Sequence, residues 1–462
     1  MKISIKNLGV IKQADFTLGE LTIICGRNNT GKTYATYALF GFLSFWRETF
    51  SIKISDENVH QLLNEGSTEI DTQIYVQNVP NILENGCKSF TKQLPMVFAS
   101  SEKHFSESKF MVDLELSDIQ PSATFERTMG AAKTQLFSIS KKADSSFVNI
   151  SLLVEKEKVR IPQDVISRIV GEALKDIVFG HLFPNPFIAS AERTGAAIFR
   201  KELNFARNRL LEEMGIMGKE INPFELLTKV YADYALPVKA NVDFTRQLEE
   251  LSKKDSFIAK QHTEVLNDFA DIIGGEYLVT KNDELYYVPK GKRIKLTMDE
   301  SSSAVRSLLD IGFYLRHVAA PGDLLMVDEP ELNLHPENQR RVARLFSRLV
   351  NLGIKVFITT HSDYIIKELN TLIMLNHESP HLKEIAHREG YKQDELISVD
   401  KIRVYIAEEA LIKLDGAKKK TRYPTLVPAD IDPQMGIEAQ SFDKTIEEMN
   451  RIQEEIVWGG NE

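Results

Sequence analysis

The stretch Leu324 to His335, LLMVDEPELNLH, decides the reading of this chain. Four apolar residues, Leu324 to Val327, end abruptly in Asp328 and Glu329, the pattern of a buried parallel strand that delivers two carboxylates at its C-terminal edge. Ligands of open α/β sheets sit at that edge, so the rest of the site is sought where another strand ends. It is found near the N-terminus: Gly26-Arg27-Asn28-Asn29-Thr30-Gly31-Lys32-Thr33 fits G-x-x-x-x-G-K-[ST] without a mismatch.

The loop has the flanks this motif requires. Leu21 to Cys25 is an apolar strand running into it, and Ala35, Ala38, Leu39 and Phe42 behind it have helical spacing. Its glycines let backbone N–H groups turn inward as an anion nest, Lys32 reaches the β- and γ-phosphates, and the Thr33 hydroxyl is a magnesium ligand. Asp328 completes the Mg²⁺ shell, and Glu329 beside it orients or deprotonates the attacking water. ATP and Mg²⁺ are therefore the expected ligands. His361 ends the apolar strand Lys355 to Thr360, where an imidazole reports on the γ-phosphate. Ser301, Ser302 and Ser303 precede a helix expected over residues 302–318. They read equally as helix caps or as a γ-phosphate contact to a second subunit's nucleotide, carried by Ser302 and Ser303.

Composition bounds the remaining choices. The chain has 462 residues, a net charge of −9, and 27% charged and 43% hydrophobic residues, as expected of a large soluble protein with no overall polycationic character. Two cysteines, Cys25 and Cys87, are too few for a disulfide framework or a zinc cluster and suit the cytoplasm. Met1 to Val10 lacks a secretory pattern, and Tyr37 to Trp46, the longest apolar run, is about half of the roughly 20 residues a membrane span needs.

Between the motifs, alternating runs at Gln73 to Val79, Phe110 to Leu116 and Val148 to Val154 read as an antiparallel β layer. A helix is expected from Val165 to Leu182, a short strand from Phe187 to Ala191, and a further strand at Leu372 to Leu375. The expected fold class is α/β: a P-loop NTPase head of ABC type with an antiparallel β layer and a helical insertion. Its parts are residues 1–198 (N-terminal half of the head with the β layer), 199–273 (helical insertion), 274–376 (C-terminal half) and 377–462 (C-terminal α/β extension, closing on a helix from Phe442 to Val457).

Taken together, these motifs resemble the ABC-type ATPase heads of the OLD, Rad50 and SMC group. DEPELNLHP at Asp328 to Pro336 and TTHSDYII at Thr359 to Ile366 look especially like the OLD-like ATPases of bacterial anti-phage systems. The resemblance covers residues 1–45 and 296–376. It implies heads that dimerise head to tail around two ATP molecules, with Asp328 and Glu329 as magnesium and catalytic acids, His361 as the switch histidine and Asn333 in the segment crossing between subunits. The chain departs from the family pattern in two places. Ala304 stands where the signature usually has glycine, and no glutamine loop is evident; Arg193 occupies its region without an assigned role.

In size and layout the chain is similar to the ATPase subunits of PARIS and, as second choice, of Septu. That resemblance implies a separate Toprim or HNH nuclease as partner, a phage protein as trigger, and a slow, regulatory ATPase that holds the toxic effector until triggered. Asp430-Ile431-Asp432 is not read as the D-x-D of a Toprim nuclease, because no strand–glutamate unit precedes it and Pro433 follows at once. The alternative function is direct DNA handling in the manner of SMC or Rad50 proteins. Its motivation is the basic runs Lys290 to Lys295, Arg340, Arg341, Arg344 and Arg348, and Lys418 to Arg422, which also read as a solvated charged face.

Overall fold

The computed structural model describes residues 1–115, 117, 119–131, 134–154, 162–200, 234–414, 417–438 and 448–456. Its centre is a six-stranded sheet in the order Thr421–Pro428, Ile402–Ile412, Leu21–Cys25, Lys355–Thr360, Leu324–Asp328 and Pro186–Ala189. All neighbours pair parallel except Thr421–Pro428, which closes one edge antiparallel. The strand before the glycine loop and the strand bearing the two acids are thus separated by one strand, Lys355–Thr360. Register brings Cys25 opposite Thr360, and Thr359 opposite Asp328, so the three strand ends come out at one edge.

Residues Leu21–Cys25 and Leu324–Asp328 are buried throughout, as strands covered on both faces must be. Alternate side chains feed two cores. Ile24, Leu324, Met326 and Phe357 join one, built on the helix Lys32–Thr49 and an aromatic cluster of Phe42, Trp46, Phe50, Phe179 and Phe183. Leu21, Ile23, Leu325, Val327 and Ile358 join the other, against the helices Pro336–Asn351 and Asp363–Leu375. The expected apolar face Val342, Leu345, Phe346 and Leu349 is buried there.

Beside the first core lies an antiparallel layer: Ile11–Thr17, Lys2–Leu8 and Lys109–Asp113 form one sheet, and Ser67–Asp71, Phe147–Leu152, Thr134–Lys141 and Phe125–Ala131 another. The run Gln73 to Val79 is not part of it. Gln73–Gln77 is a helix whose first N–H is held by the Asp71 carboxylate, and it leads into the helix Val79–Thr91, whose buried Val79, Ile82, Leu83, Cys87 and Phe90 have helical spacing. Leu372 to Leu375 is likewise no strand. It is the last turn of the helix Asp363–Leu375, which Ser362 caps at its start. The single helix expected over 302–318 is three pieces, Ser303–Ser307, Leu309–Phe313 and the π-helical turn Tyr314–Val318.

Of the expected helical insertion, residues 201–233 lie outside the described residues, and the remainder contains the helices Leu236–Arg246, Leu248–Leu251, Phe257–Gln261 and Thr263–Ile273. Asn241 on the first of these is buried and brackets the edge strand, accepting from Ser190 N at 2.9 Å and donating to Ile188 O at 2.5 Å. That helix therefore packs on the central sheet rather than standing away from it. The chain beyond residue 376 also enters the sheet, because Ile402–Ile412 pairs directly with Leu21–Cys25. The expected terminal helix falls partly outside the described residues; its described part, 448–456, is helical and exposed.

Candidate functional site

The glycine loop is shaped by its backbone. Gly26 has φ +141°, Asn29 +63° and Gly31 +100°, conformations that favour glycine or asparagine. A Cβ on Gly26 would stand 2.6 Å from Ala407 O, and one on Gly31 2.6 Å from Ile11 Cγ1. Arg27, Asn28 and Asn29 are exposed, and the Thr30 hydroxyl closes the loop on Arg27 O at 2.8 Å. Lys32 folds back across it, its ammonium donating to Gly26 O at 2.9 Å and Arg27 O at 2.8 Å. Burial lowers the Lys32 pKa, while Glu329, Asp328 and Glu331 oppose that shift. Thr33 is exposed at the start of a helix with no acidic residue in its first turn, so its end favours anions.

Across the edge, Asp328 is buried, and one carboxylate oxygen accepts the Thr359 hydroxyl. The other, Oδ2, is buried without a hydrogen-bond partner. Burial pushes the Asp328 carboxyl up to about 6, with Glu329 and Glu192 adding to the rise and Thr359 opposing it. A buried carboxylate oxygen without a partner and an exposed Thr33 hydroxyl at the same sheet edge are the hard oxygen donors a divalent cation takes, so Asp328 and Thr33 fit Mg²⁺.

Glu329 is the first residue beyond the strand and adopts φ +53°, a strained value for a side chain of this size. Its N–H is held by Thr359 O and Oγ1, each at 3.2 Å, and its carbonyl accepts from Arg193 Nη2 at 2.8 Å. His361 Nδ1 stands 3.7 Å from Glu329 Oε1 and 3.2 Å from Glu331 Oε1. The structure thus gathers Gly26 to Thr33, Asp328, Glu329 and His361 at one sheet edge. Ser302 and Ser303 are on a separate helix. Ser302 caps it through Val305 N at 3.3 Å, and Ser303 Oγ accepts from Arg306 at 3.1 Å.

Two participants were missed in the sequence, and a third, Arg193, was noted there without a role. Glu331, two positions after Glu329, holds the His361 backbone and ring. Thr359 bridges Asp328 and Glu329, and its place opposite Asp328 in the neighbouring strand is a matter of sheet order. Arg193 is fully buried, and only its Ser-Ala-Glu-Arg context after a short strand hinted at a role.

A family model for an AAA ATPase domain matches residues 1–366. The chain belongs to the AAA ATPase domain family. Within that family's fold, the loop strand and acid strand on either side of one intervening strand, together with the antiparallel layer, make this AAA ATPase domain a P-loop NTPase of ABC type. Among solved structures it is similar to an SMC head bound to the C-terminal winged-helix domain of ScpA (10% identity, 92% of this chain and 97% of that one, TM-score 0.32). It is also similar to the SMC head domain of Thermotoga maritima (10% identity, 93% and 98%, TM-score 0.27). A third is an Smc head with an extended coiled coil and the ScpA C-terminal domain from Pyrococcus furiosus (12% identity, 98% and 98%, TM-score 0.28). At these scores the overlap carries no argument. No curated protein matches the chain. Among the described residues of the AAA ATPase domain and its continuation, no helix is long and apolar enough to cross a membrane.

Proposed function

We propose that this protein is an ATP-binding and hydrolysing head that works as a dimer in the cytoplasm and holds, then releases, a nuclease effector in anti-phage defence. The observation that carries the ATPase part is the meeting of Lys32, Asp328, Glu329 and the His361–Glu331 pair at one sheet edge. The effector part rests on the resemblance of DEPELNLHP and TTHSDYII to OLD-like defence ATPases. On this reading the glycine-loop N–H groups and Lys32 bind the phosphates, and Thr33 and Asp328 hold Mg²⁺. The bound ion neutralises charge that develops on the phosphate oxygens. Glu329 orients the attacking water and accepts its proton, and His361, steadied by Glu331, contacts the γ-phosphate and distinguishes ATP from ADP. Ser302 and Ser303 contact the nucleotide of the second subunit.

The DNA-handling alternative loses part of its motivation. Arg340 and Arg344 both bond the buried Glu368, and Arg348, buried, pairs with Asp268 and Asp394. Lys290 pairs with Asp271, and Arg341 with Glu337. Arg340, Arg344 and Arg348 tie their helix to neighbouring segments, whereas the Lys290 and Arg341 pairs are exposed.

The test compares ATP binding and turnover of wild type, Lys32→Ala and Glu329→Gln, alongside affinity purification from the native cytoplasm in ATP and Mg²⁺ followed by native mass spectrometry. Expected are weakened binding for Lys32→Ala, retained binding with slowed hydrolysis for Glu329→Gln, and a stoichiometric nuclease on the purified dimer. Normal turnover by Glu329→Gln removes the catalytic assignment. Recovery of a bare dimer with nuclease-sensitive DNA favours DNA handling.

A further inference from the structure

We infer that Arg193 is a positioning residue that ties the serine-bearing helix Ser303–Ser307 to the backbone of Glu329, so that engagement of that helix is felt at the water-activating carboxylate. This rests on the reading of Glu329 given above.

Arg193 begins the short helix Arg193–Ile198 after the edge strand, and its side chain is among the largest that are fully buried. Its guanidinium reaches three separate segments. Nε donates to Ser307 O at 2.6 Å, the last residue of the serine helix. Nη1 donates to Ser190 O at 2.8 Å and to Asp328 O at 2.6 Å, and Nη2 to Glu329 O at 2.8 Å. All four acceptors are backbone carbonyls.

A buried guanidinium that served only to balance charge would bond a carboxylate. The buried Asp310, three residues beyond the serine helix, acts electrostatically on Arg193, yet both its oxygens lack a hydrogen-bond partner. The fork is directed instead to the main chain of the strand end and of the serine helix.

That choice matters because Glu329 is strained at φ +53° and needs its peptide held from both sides. Thr359 fixes the N–H side and Arg193 the carbonyl side. A displacement of Ser307 therefore pulls on the group that fixes Glu329. Only a planar fork with several donors in fixed directions makes this connection, and a lysine ammonium on a flexible stem does not reproduce it.

The experiment uses the full chain and measures ATP hydrolysis against ATP concentration, together with ATP affinity, for wild type, Arg193→Lys and Arg193→Gln, with Glu329→Gln in parallel. Both Arg193 variants should bind ATP as wild type does and lose about 10- to 100-fold in kcat, with no rescue by lysine. Wild-type kcat in Arg193→Lys overturns the inference, as does a fall in kcat matched by an equal loss of ATP affinity.

Hydrogen exchange of wild-type segments 303–307 and 329–333 gives a measurement that survives a folding failure of the variants. Both segments should change protection at the same ATP concentration, and separate midpoints overturn the coupling. If Glu329→Gln turns over normally, the site assignment fails, and the coupling is judged by exchange alone.

Discussion

Glu331 Oε1 accepts the backbone N–H of His361 at 2.7 Å and stands 3.2 Å from Nδ1 of the same residue. The Thr360 hydroxyl adds a third bond to that oxygen at 2.9 Å, so one buried carboxylate fixes the turn that presents the imidazole. Glu331→Ala should therefore destabilise the fold by about 1–3 kcal/mol through the buried donors it leaves unpaired. It should lower ATP turnover as well. His361→Ala, at a side chain 44% exposed, should slow turnover with a stability change within about 0.5 kcal/mol. Thermal unfolding and steady-state hydrolysis of the two variants separate these roles, and equal losses of stability would count against the division.

Gly26 and Gly195 provide a matched pair. At Gly26 a methyl group meets Ala407 O at 2.6 Å under φ +141°, whereas at Gly195 nothing lies within 4 Å. Gly26→Ala should lower the unfolding temperature and weaken ATP binding together. Gly195→Ala, in a helix, should be neutral or stabilising by up to about 1 kcal/mol. Calorimetry and nucleotide titration of both variants check this; a Gly26→Ala protein with normal ATP affinity would show that the loop tolerates a side chain there.

Asp310 makes stability depend on pH. Burial pushes its carboxyl up to about 7 although Arg193 pulls it down, and Tyr277 is a further titratable group beside it. The unfolded value is about 3.9, so between these two pH values the folded chain keeps a proton that the unfolded chain releases. Its contribution to stability is whole below the unfolded value and is lost as pH rises through about 7. Asp310→Asn does not titrate. Its unfolding temperature relative to wild type should rise from pH 5 to pH 8, and a constant difference would show that Asp310 stays ionised beside Arg193.

Arg348 is expected to matter for folding rather than for nucleic acid. Its side chain is 3% exposed and bridges Asp268 and Asp394, joining the helix Pro336–Asn351 to the chain on either side. Arg348→Ala should cost about 1–2 kcal/mol, chiefly through the lost packing and pairing of the buried guanidinium, since Asp268 keeps Lys392 and Asp394 is half exposed. Any binding to duplex DNA should be unchanged, and a large loss of salt-sensitive DNA binding at retained stability would restore the DNA-handling reading.

The two strand errors share a cause. Gln73 to Val79 and Leu372 to Leu375 are short runs whose pattern fits a period of 2 or of 3.6, and the side chains of Asp71 and Ser362, which hold the N–H groups at the helix starts, tip both to helix. The motifs were legible because their chemistry is local. A glycine loop between strand and helix, and a buried strand ending in acids, are each complete within about a dozen residues.

The sequence by itself determined the glycine loop at Gly26 to Thr33 between strand and helix, the acids Asp328 and Glu329 at a strand end, the histidine at another, and the α/β class, all properties of backbone conformation and hydrophobic period within single segments. Tertiary structure alone decided that Lys355–Thr360 lies between loop and acids, and that Ile402–Ile412 joins the same sheet. It also decided that Glu331 steadies His361, that Arg193 grips Glu329, and that Arg340, Arg344 and Arg348 are paired. Arg193 is more than 100 residues from Ser307, Asp328 and Glu329, and no local pattern encodes which strands pair or which buried charge finds which carbonyl. Those choices follow from burying the apolar faces of the sheet and satisfying most of the polar groups enclosed with them, Asp328 Oδ2 and the Asp310 carboxylate being exceptions.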